Sequence, residues 1–221
     1  MIKSIKALFI AIRIKTLIAS ISPVVIGSCL SFKYGLFNFM IFLYTILSSI
    51  FIQIGTNFAN DVYDYIKGAD DSNRLGPTRA VQSQLISINK MKLLTLGAFL
   101  LSIICGLPLV IKGGYPILLI GVIGIISGYL YTAGPYPLGY NGWGDFFVFC
   151  FFGPIAVCGT YYLQNNFVSI PSIISGIILG SLSTCLLCVN NIRDVETDSK
   201  AGKLTLAVRI SPSFVRKIFI S

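Results

Sequence analysis

Leu93-Leu-Thr-Leu-Gly-Ala-Phe-Leu-Leu-Ser-Ile-Ile-Cys-Gly-Leu-Pro-Leu-Val-Ile111 runs without a charged residue. A helix of about 20 apolar residues crosses the hydrocarbon of a bilayer. In hydrocarbon the backbone must pair within its own segment, which a helix does. The run lacks the apolar/polar alternation of a membrane barrel strand. On either side of it the same pattern recurs, giving six runs at residues 17–32, 37–57, 93–111, 116–131, 146–163 and 173–188. Of 221 residues, 55% are hydrophobic and only 11% are charged, against roughly 25% charged in a soluble domain. The expected fold is all-α: a polytopic transmembrane bundle of about six spans, forming one domain over residues 1–221. A signal peptide is the rival reading of the N-terminus, but Arg13 and Lys15 interrupt the apolar run and no small-residue cleavage site follows.

Basic residues orient membrane helices. Lys3, Lys6, Arg13 and Lys15 precede the first span, and Lys67, Arg74, Arg79, Lys90 and Lys92 lie between the second and third. Arg193, Lys200, Lys203, Arg209, Arg216 and Lys217 follow the sixth, while only Lys33 and Lys112 fall in loops on the opposite side. Both ends of the six spans are therefore expected on the cytoplasmic side of the cell membrane. All 8 acidic residues, Asp61, Asp64, Asp70, Asp71, Asp145, Asp194, Glu196 and Asp198, fall on that same face. Orientation does not require this, since acids contribute little to it. Solvated loop charge would also account for it. But Asp61 and Asp64 continue the second span and Asp194 continues the sixth, and carboxylates at such positions mark function.

The two acidic segments resemble one another. One reads Asn60-Asp61-x-x-Asp64 with Asp70 further on, the other Asn190-x-x-x-Asp194-x-x-x-Asp198. Residues four apart stack on one helix face. Two oxygen-bearing helix tips facing each other would suit a hard cation such as magnesium. The chain has no histidine, which argues against the usual zinc and haem sites. Basic residues interleave with the acids, so a phosphorylated lipid is the expected ligand. The spacing is not that of an EF-hand, and no phosphate-binding Gly-rich loop occurs. Gly121, Gly124 and Gly128 are expected to permit close helix packing. Cys185 and Cys188, despite a redox-like spacing, read as buried apolar thiols.

Three blocks carry a resemblance to a known family. The first runs from Gln53 through Asn57, Asn60, Asp61, Asp64, Lys67, Gly68 and Asp70 to Arg74, Pro77 and Arg79. The second runs from Gly128 through Tyr131, Pro135, Pro137, Tyr140 and Asn141 to Asp145. The third runs from Asn190 through Arg193, Asp194 and Asp198 to Lys203, Thr205 and Arg209. Together they resemble the UbiA-type superfamily of intramembrane aromatic prenyltransferases, and within it the naphthoate-prenylating branch of menaquinone synthesis. The resemblance implies Mg2+ as cofactor, and a polyprenyl diphosphate and 1,4-dihydroxy-2-naphthoate as substrates, in a membrane-lipid setting with no nucleic-acid partner. It implies metal ligands at Asn60, Asp61, Asp64, Asp70, Asn190, Asp194 and Asp198. Lys67, Arg74, Arg79, Arg193 and Lys203 are implied as contacts to phosphate or the naphthoate carboxylate. Tyr131 and Asp145, with Tyr129, are implied at the aromatic acceptor or the allylic cation. For Tyr129 and Tyr131 an interfacial aromatic belt is the alternative.

Two departures stand out. The superfamily usually has an aspartate where Gly68 stands, with Asp70 two residues later here. The resemblance also implies about nine spans, and residues 214–220 resemble the start of a seventh, so a chain incomplete at its C-terminus is expected. Rival classes remain a transporter, a non-catalytic membrane remnant, and a sister prenyltransferase acting on another aromatic acceptor.

Overall fold

The computed structural model describes residues 2–70 and 76–210, and every regular element among them is helical. Arg74 and Asp71, and residues 214–220, lie outside the described residues. In order the helices are α1 (Ile2–Ile12), α2 (Ile14–Lys33), α3 (Phe39–Ile66), α4 (Ile88–Leu130), α5 (Gly144–Phe152), α6 (Pro154–Asn165), α7 (Ile170–Arg193), α8 (Val195–Lys200) and α9 (Leu206–Ile210). Five stretches are long and apolar enough to span a bilayer, with α5 and α6 together forming one of them.

The 43-residue α4 holds two of the six expected spans. At 1.5 Å per residue a straight helix of that length would be about 65 Å long, twice the hydrocarbon thickness. Gly114 interrupts it at φ 66° and ψ −153°, a conformation open to glycine because it has no Cβ. The two halves run in opposite directions along α3. In the first, Phe99 lies against Gly55 and the Ser102 carbonyl accepts a 3.0 Å bond from the Ser48 hydroxyl. In the second, Gly124 lies near Ile52, Gly128 against Thr56, and Tyr129 meets Tyr63. Rising numbers on α3 thus meet falling numbers on the first half and rising numbers on the second. Gly124 and Gly128 sit at helix contacts as expected, whereas nothing approaches the Gly121 position within 4 Å.

The α5–α6 span breaks at Gly153, followed by Pro154 at the first turn of α6. A Cβ at Gly153 would lie 2.5 Å from the Gly176 carbonyl oxygen and 2.6 Å from the Gly180 Cα on α7. The backbones meet there because none of these three residues has a side chain. This contact brings the start of α5, with Asp145, alongside α7.

A cluster of Ala7, Ala11, Phe58, Val62, Ala80, Val81, Ile86, Met91 and Ala98 joins α1, the end of α3, the loop after Arg79 and the start of α4. It packs around the end of α3 that carries the first acidic motif. At the other end of the bundle, Gln164 and Asn165 tie α6 to Asn38 and Ser31.

Candidate active site

α3 ends in a glycine cap. Lys67 is the C-cap, Gly68 takes φ 76°, and the Ala69 and Asp70 N–H groups bond back to the Asp64 carbonyl at 2.9 and 3.3 Å. This left-handed reversal explains the shifted motif. With glycine at position 68 the chain doubles back, and Asp70 returns to the side of Asp64. Arg79 then bridges the two carboxylates, with Nη2 3.2 Å from Asp64 Oδ2 and Nε 3.0 Å from Asp70 Oδ2. All three residues are at most 5% exposed.

Asp64 Oδ1 accepts a 2.9 Å bond from the Tyr140 hydroxyl. Tyr140 sits in the loop between α4 and α5. Lys67 Nζ lies 4.7 Å and Lys203 Nζ 5.6 Å from its ring centroid. Its carbonyl accepts the Leu204 N–H at 2.8 Å. Lys203 in turn pairs with Asp198 Oδ1 at 3.4 Å. Tyr140 and Lys203 therefore join the acidic end of α3 to the acidic segment after α7. Tyr140 belongs to the second of the three sequence blocks, whose spacing gives it no role. It lies in an aperiodic loop, where no helical register says which way a ring points.

The remaining residues flank this junction. Asn60 accepts a 2.9 Å bond from the Thr132 hydroxyl. Tyr131 is placed so that the charges of Asp145, Asp64 and Asp198 all act on its hydroxyl. Asp145, in the first turn of α5, accepts a bond from the Cys188 thiol at 3.4 Å. Asp194 is forked by its neighbour Arg193, with 2.7 and 2.6 Å bonds from Nε and Nη2. Asn190, Asp194 and Asp198 do not ride one unbroken helix, since α7 ends at Arg193 and Asp194 (φ −96°, ψ 9°) starts the turn into α8. The spacing survives the break, because the Asp194 and Asp198 N–H groups still bond four residues back. Asn190 is exposed, and the adjacent Asn191 is buried.

Asp61 differs from the other acids of its segment. Its Oδ2 accepts the Ala80 N–H at 3.0 Å and its Oδ1 the Val81 N–H at 3.2 Å. Both oxygens thus serve the loop backbone.

Burial is the leading influence on the charged groups of the site. Burial pushes the Asp198 carboxyl above its ordinary value; Lys203 offsets part of that, while Asp194 and Asp64 add to it. Burial pulls Lys203 down, but Asp64, Asp198 and Asp70 together carry it above its usual value. Burial also lowers Lys67 against the pull of Asp64. Burial raises the Tyr140 and Tyr131 hydroxyls, and the surrounding carboxylates raise them further. Among the described residues no three carboxylates or thiols converge closely enough to chelate an ion. The donor chemistry still fits magnesium. All candidate ligands are oxygens, and Asp198 Oδ2 is buried without a hydrogen bond, an acceptor that a cation could satisfy. Arg79 Nη1 is a buried donor equally without a partner, suited to a phosphate oxygen.

Comparison with known proteins agrees with this architecture. A 1,4-dihydroxy-2-naphthoate octaprenyltransferase of Haemophilus influenzae is 37% identical over 207 residues, covering 90% of this chain and 67% of the relative. Enzymes of the same name from Mycobacterium tuberculosis (36% identical, 94% of this chain and 70% of the relative) and Escherichia coli (33%, 94% and 69%) are also similar. In fold, the chain resembles a UbiA homolog from Archaeoglobus fulgidus bound to DMAPP and Mg2+. The TM-score is 0.69 at 19% identity, covering 96% of this chain and 72% of that one. It also resembles a digeranylgeranylglyceryl phosphate synthase, with a TM-score of 0.71 at 21% identity, covering 99% and 73%. Residues 20–221 match the UbiA prenyltransferase family. With its membrane-spanning helices, its paired acidic motifs and relatives at this level of identity, the chain belongs to the UbiA prenyltransferase family of enzymes.

Proposed function

We propose that this enzyme transfers a polyprenyl group from polyprenyl diphosphate to 1,4-dihydroxy-2-naphthoate, at the cytoplasmic face of the cell membrane, releasing diphosphate and CO2 and leaving demethylmenaquinol, the reduced form of demethylmenaquinone. The observation that carries the reading is the junction itself. Asp64 and Asp198, from the two motifs, are linked through Tyr140 and Lys203. Magnesium, when bound, would neutralise the diphosphate and favour its departure. Asn60, Asp64, Asp70, Asn190, Asp194 and Asp198 are the residues that would hold it.

The chain's own groups account for the rest. Arg79, Lys67, Lys203 and Arg193, with Arg74 from outside the described residues, offer donors to the phosphate oxygens as negative charge develops on them. The bond between the prenyl C1 and its oxygen breaks, and the electron pair leaves with diphosphate. The ring carbon bearing the naphthoate carboxylate forms the new bond to C1. Loss of that carboxylate as CO2 returns its bonding pair to the ring. Tyr131 and Asp145 border the same space and are suited to orient the acceptor's hydroxyl groups. The apolar helices keep water from an allylic cation and dissolve the prenyl tail. The basic residues of the segments after α3 and after α7, among them Lys67, Arg79 and Lys203, support the cytoplasmic placement.

The test is to incubate membranes carrying the chain with Mg2+, 1,4-dihydroxy-2-naphthoate and a polyprenyl diphosphate, and to follow products by mass spectrometry. A decarboxylated, prenylated naphthoquinol, lost in Asp64→Ala, is expected. Prenylation of hydroxybenzoate instead would assign the other acceptor class. Turnover that persists without divalent ions would sink the reading.

A further inference from the structure

Asp61 stands next to Asn60 in the first motif, yet its contacts set it apart. On α3 it continues a stripe of Gln53, Asn57 and Asp61, spaced four residues apart on one helix face. Gln53 Nε2 donates to Asn57 Oδ1 at 3.0 Å, and Asn57 Nδ2 donates to the Ile12 carbonyl at 2.8 Å and the Thr16 hydroxyl at 2.9 Å. That stripe therefore grips the α1–α2 junction. Asp61, 1% exposed, completes it by accepting two successive backbone N–H groups, from Ala80 and Val81. The segment it holds is short and closed on itself, since the Leu85 and Ile86 N–H groups both bond to the Ala80 carbonyl. Ala80, Val81 and Ile86 are seated in the cluster with Phe58 and Val62. The residue just before this anchored pair is Arg79, whose guanidinium lies between Asp64 and Asp70.

We propose that Asp61 is a positioning residue, a clamp on the Ala80–Val81 backbone that sets the Arg79 guanidinium for the diphosphate group of the substrate. The proposal rests on the prenyl-transfer reading above. Only a carboxylate offers an acceptor to both amides. An asparagine must turn its NH2 toward one of them, setting donor against donor and leaving a buried N–H unpaired. The neighbouring Asn60 and Asp64 meet side chains instead, Thr132 for the first and Tyr140 and Arg79 for the second.

Two measurements on the full chain in detergent test this without requiring turnover. Arg79 is buried, so trypsin should cut the Arg79–Ala80 bond slowly in the parent. In Asp61→Asn the fragment beginning at Ala80 is expected to appear about tenfold faster, the cost of one lost buried hydrogen bond to a charged group. Calorimetric binding of inorganic diphosphate in the presence of Mg2+ is expected to weaken by a similar factor, with no change in the Mg2+ concentration giving half-saturation. In an Arg79→Ala background, Asp61→Asn should produce no further loss of diphosphate affinity. A raised Mg2+ requirement with the Arg79–Ala80 bond still protected would make Asp61 a metal ligand and overturn the proposal. Additive losses in the double variant would do the same. Asp61→Glu keeps two acceptor oxygens and should restore most of the protection and affinity. If the asparagine variant does not fold, a glutamate variant with parental protection but a raised Mg2+ requirement is equally decisive against the clamp. A parent chain that binds no diphosphate would defeat the prenyl-transfer reading, and the proteolysis would still report on the clamp.

Discussion

At the scale of single residues, the site depends on a phenol. The Tyr140 hydroxyl donates to Asp64, and its ring lies under two ammonium groups from different motifs. Hydrogen bonds to charged groups contribute about 1.5–3 kcal/mol, and cation–π contacts about 0.5–2 kcal/mol. Tyr140→Phe removes only the first and Tyr140→Ala removes both. In steady-state assays, Tyr140→Phe is expected to lower kcat/KM for the prenyl diphosphate by about tenfold or more, following the lost bond. Tyr140→Ala should lower it further, because Lys67 and Lys203 then lose the ring they both contact. Equal effects of the two substitutions would show that the ring contributes nothing. Gly68 works at the same scale. By adopting φ 76° it turns Asp70 back toward Asp64.

At the scale of elements, helix packing aligns the pieces of the site. The first turn of α5 carries Asp145, and the end of α7 leads into Asp194. Their relative placement depends on the contact of Gly153 with Gly176 and Gly180. Gly153→Leu would wedge a branched side chain between backbones that now touch. Overpacking of this kind costs about 1–3 kcal/mol. The expected result is a lower unfolding temperature in detergent together with loss of activity, because Asp145 moves with α5. The α4 hairpin is a second such device. Lys112 between the runs at 93–111 and 116–131 marks where it reverses, and Gly114 followed by Pro116 supplies the break there.

At the scale of the whole molecule, buried carboxylates from two separated parts of the chain share a neighbourhood in which Asp198 sits above its ordinary pKa. An added divalent cation with a diphosphate should therefore bind the folded state preferentially. Ligand at 100 times its dissociation constant stabilises by about 2.7 kcal/mol. Thermal unfolding in detergent is expected to shift upward by several degrees with Mg2+ and inorganic diphosphate together. Chelation by EDTA should reverse the shift, and Asp198→Asn should reduce it. A shift that is indifferent to chelation would show that the anion binds without metal.

Much of this was legible in the residues alone. Long uncharged runs exclude a soluble fold, because so few charges cannot cover a core. The bias of basic residues and the gathering of every acid at the helix ends mark one face as functional. Those are matters of composition and period, which one dimension carries. Helical spacing also suggested that Asn60, Asp61 and Asp64 act together, and here the sequence was ambiguous. Residues three and four apart share a face, but each lies on a cylinder with several neighbours. Which neighbour a carboxylate meets depends on what packs there. Folding brought the backbone of Ala80 and Val81 to Asp61, and Arg79 and Tyr140 to Asp64. Only the tertiary structure could separate the two, because their partners arrive from loops whose paths follow from packing and not from any repeat in the chain.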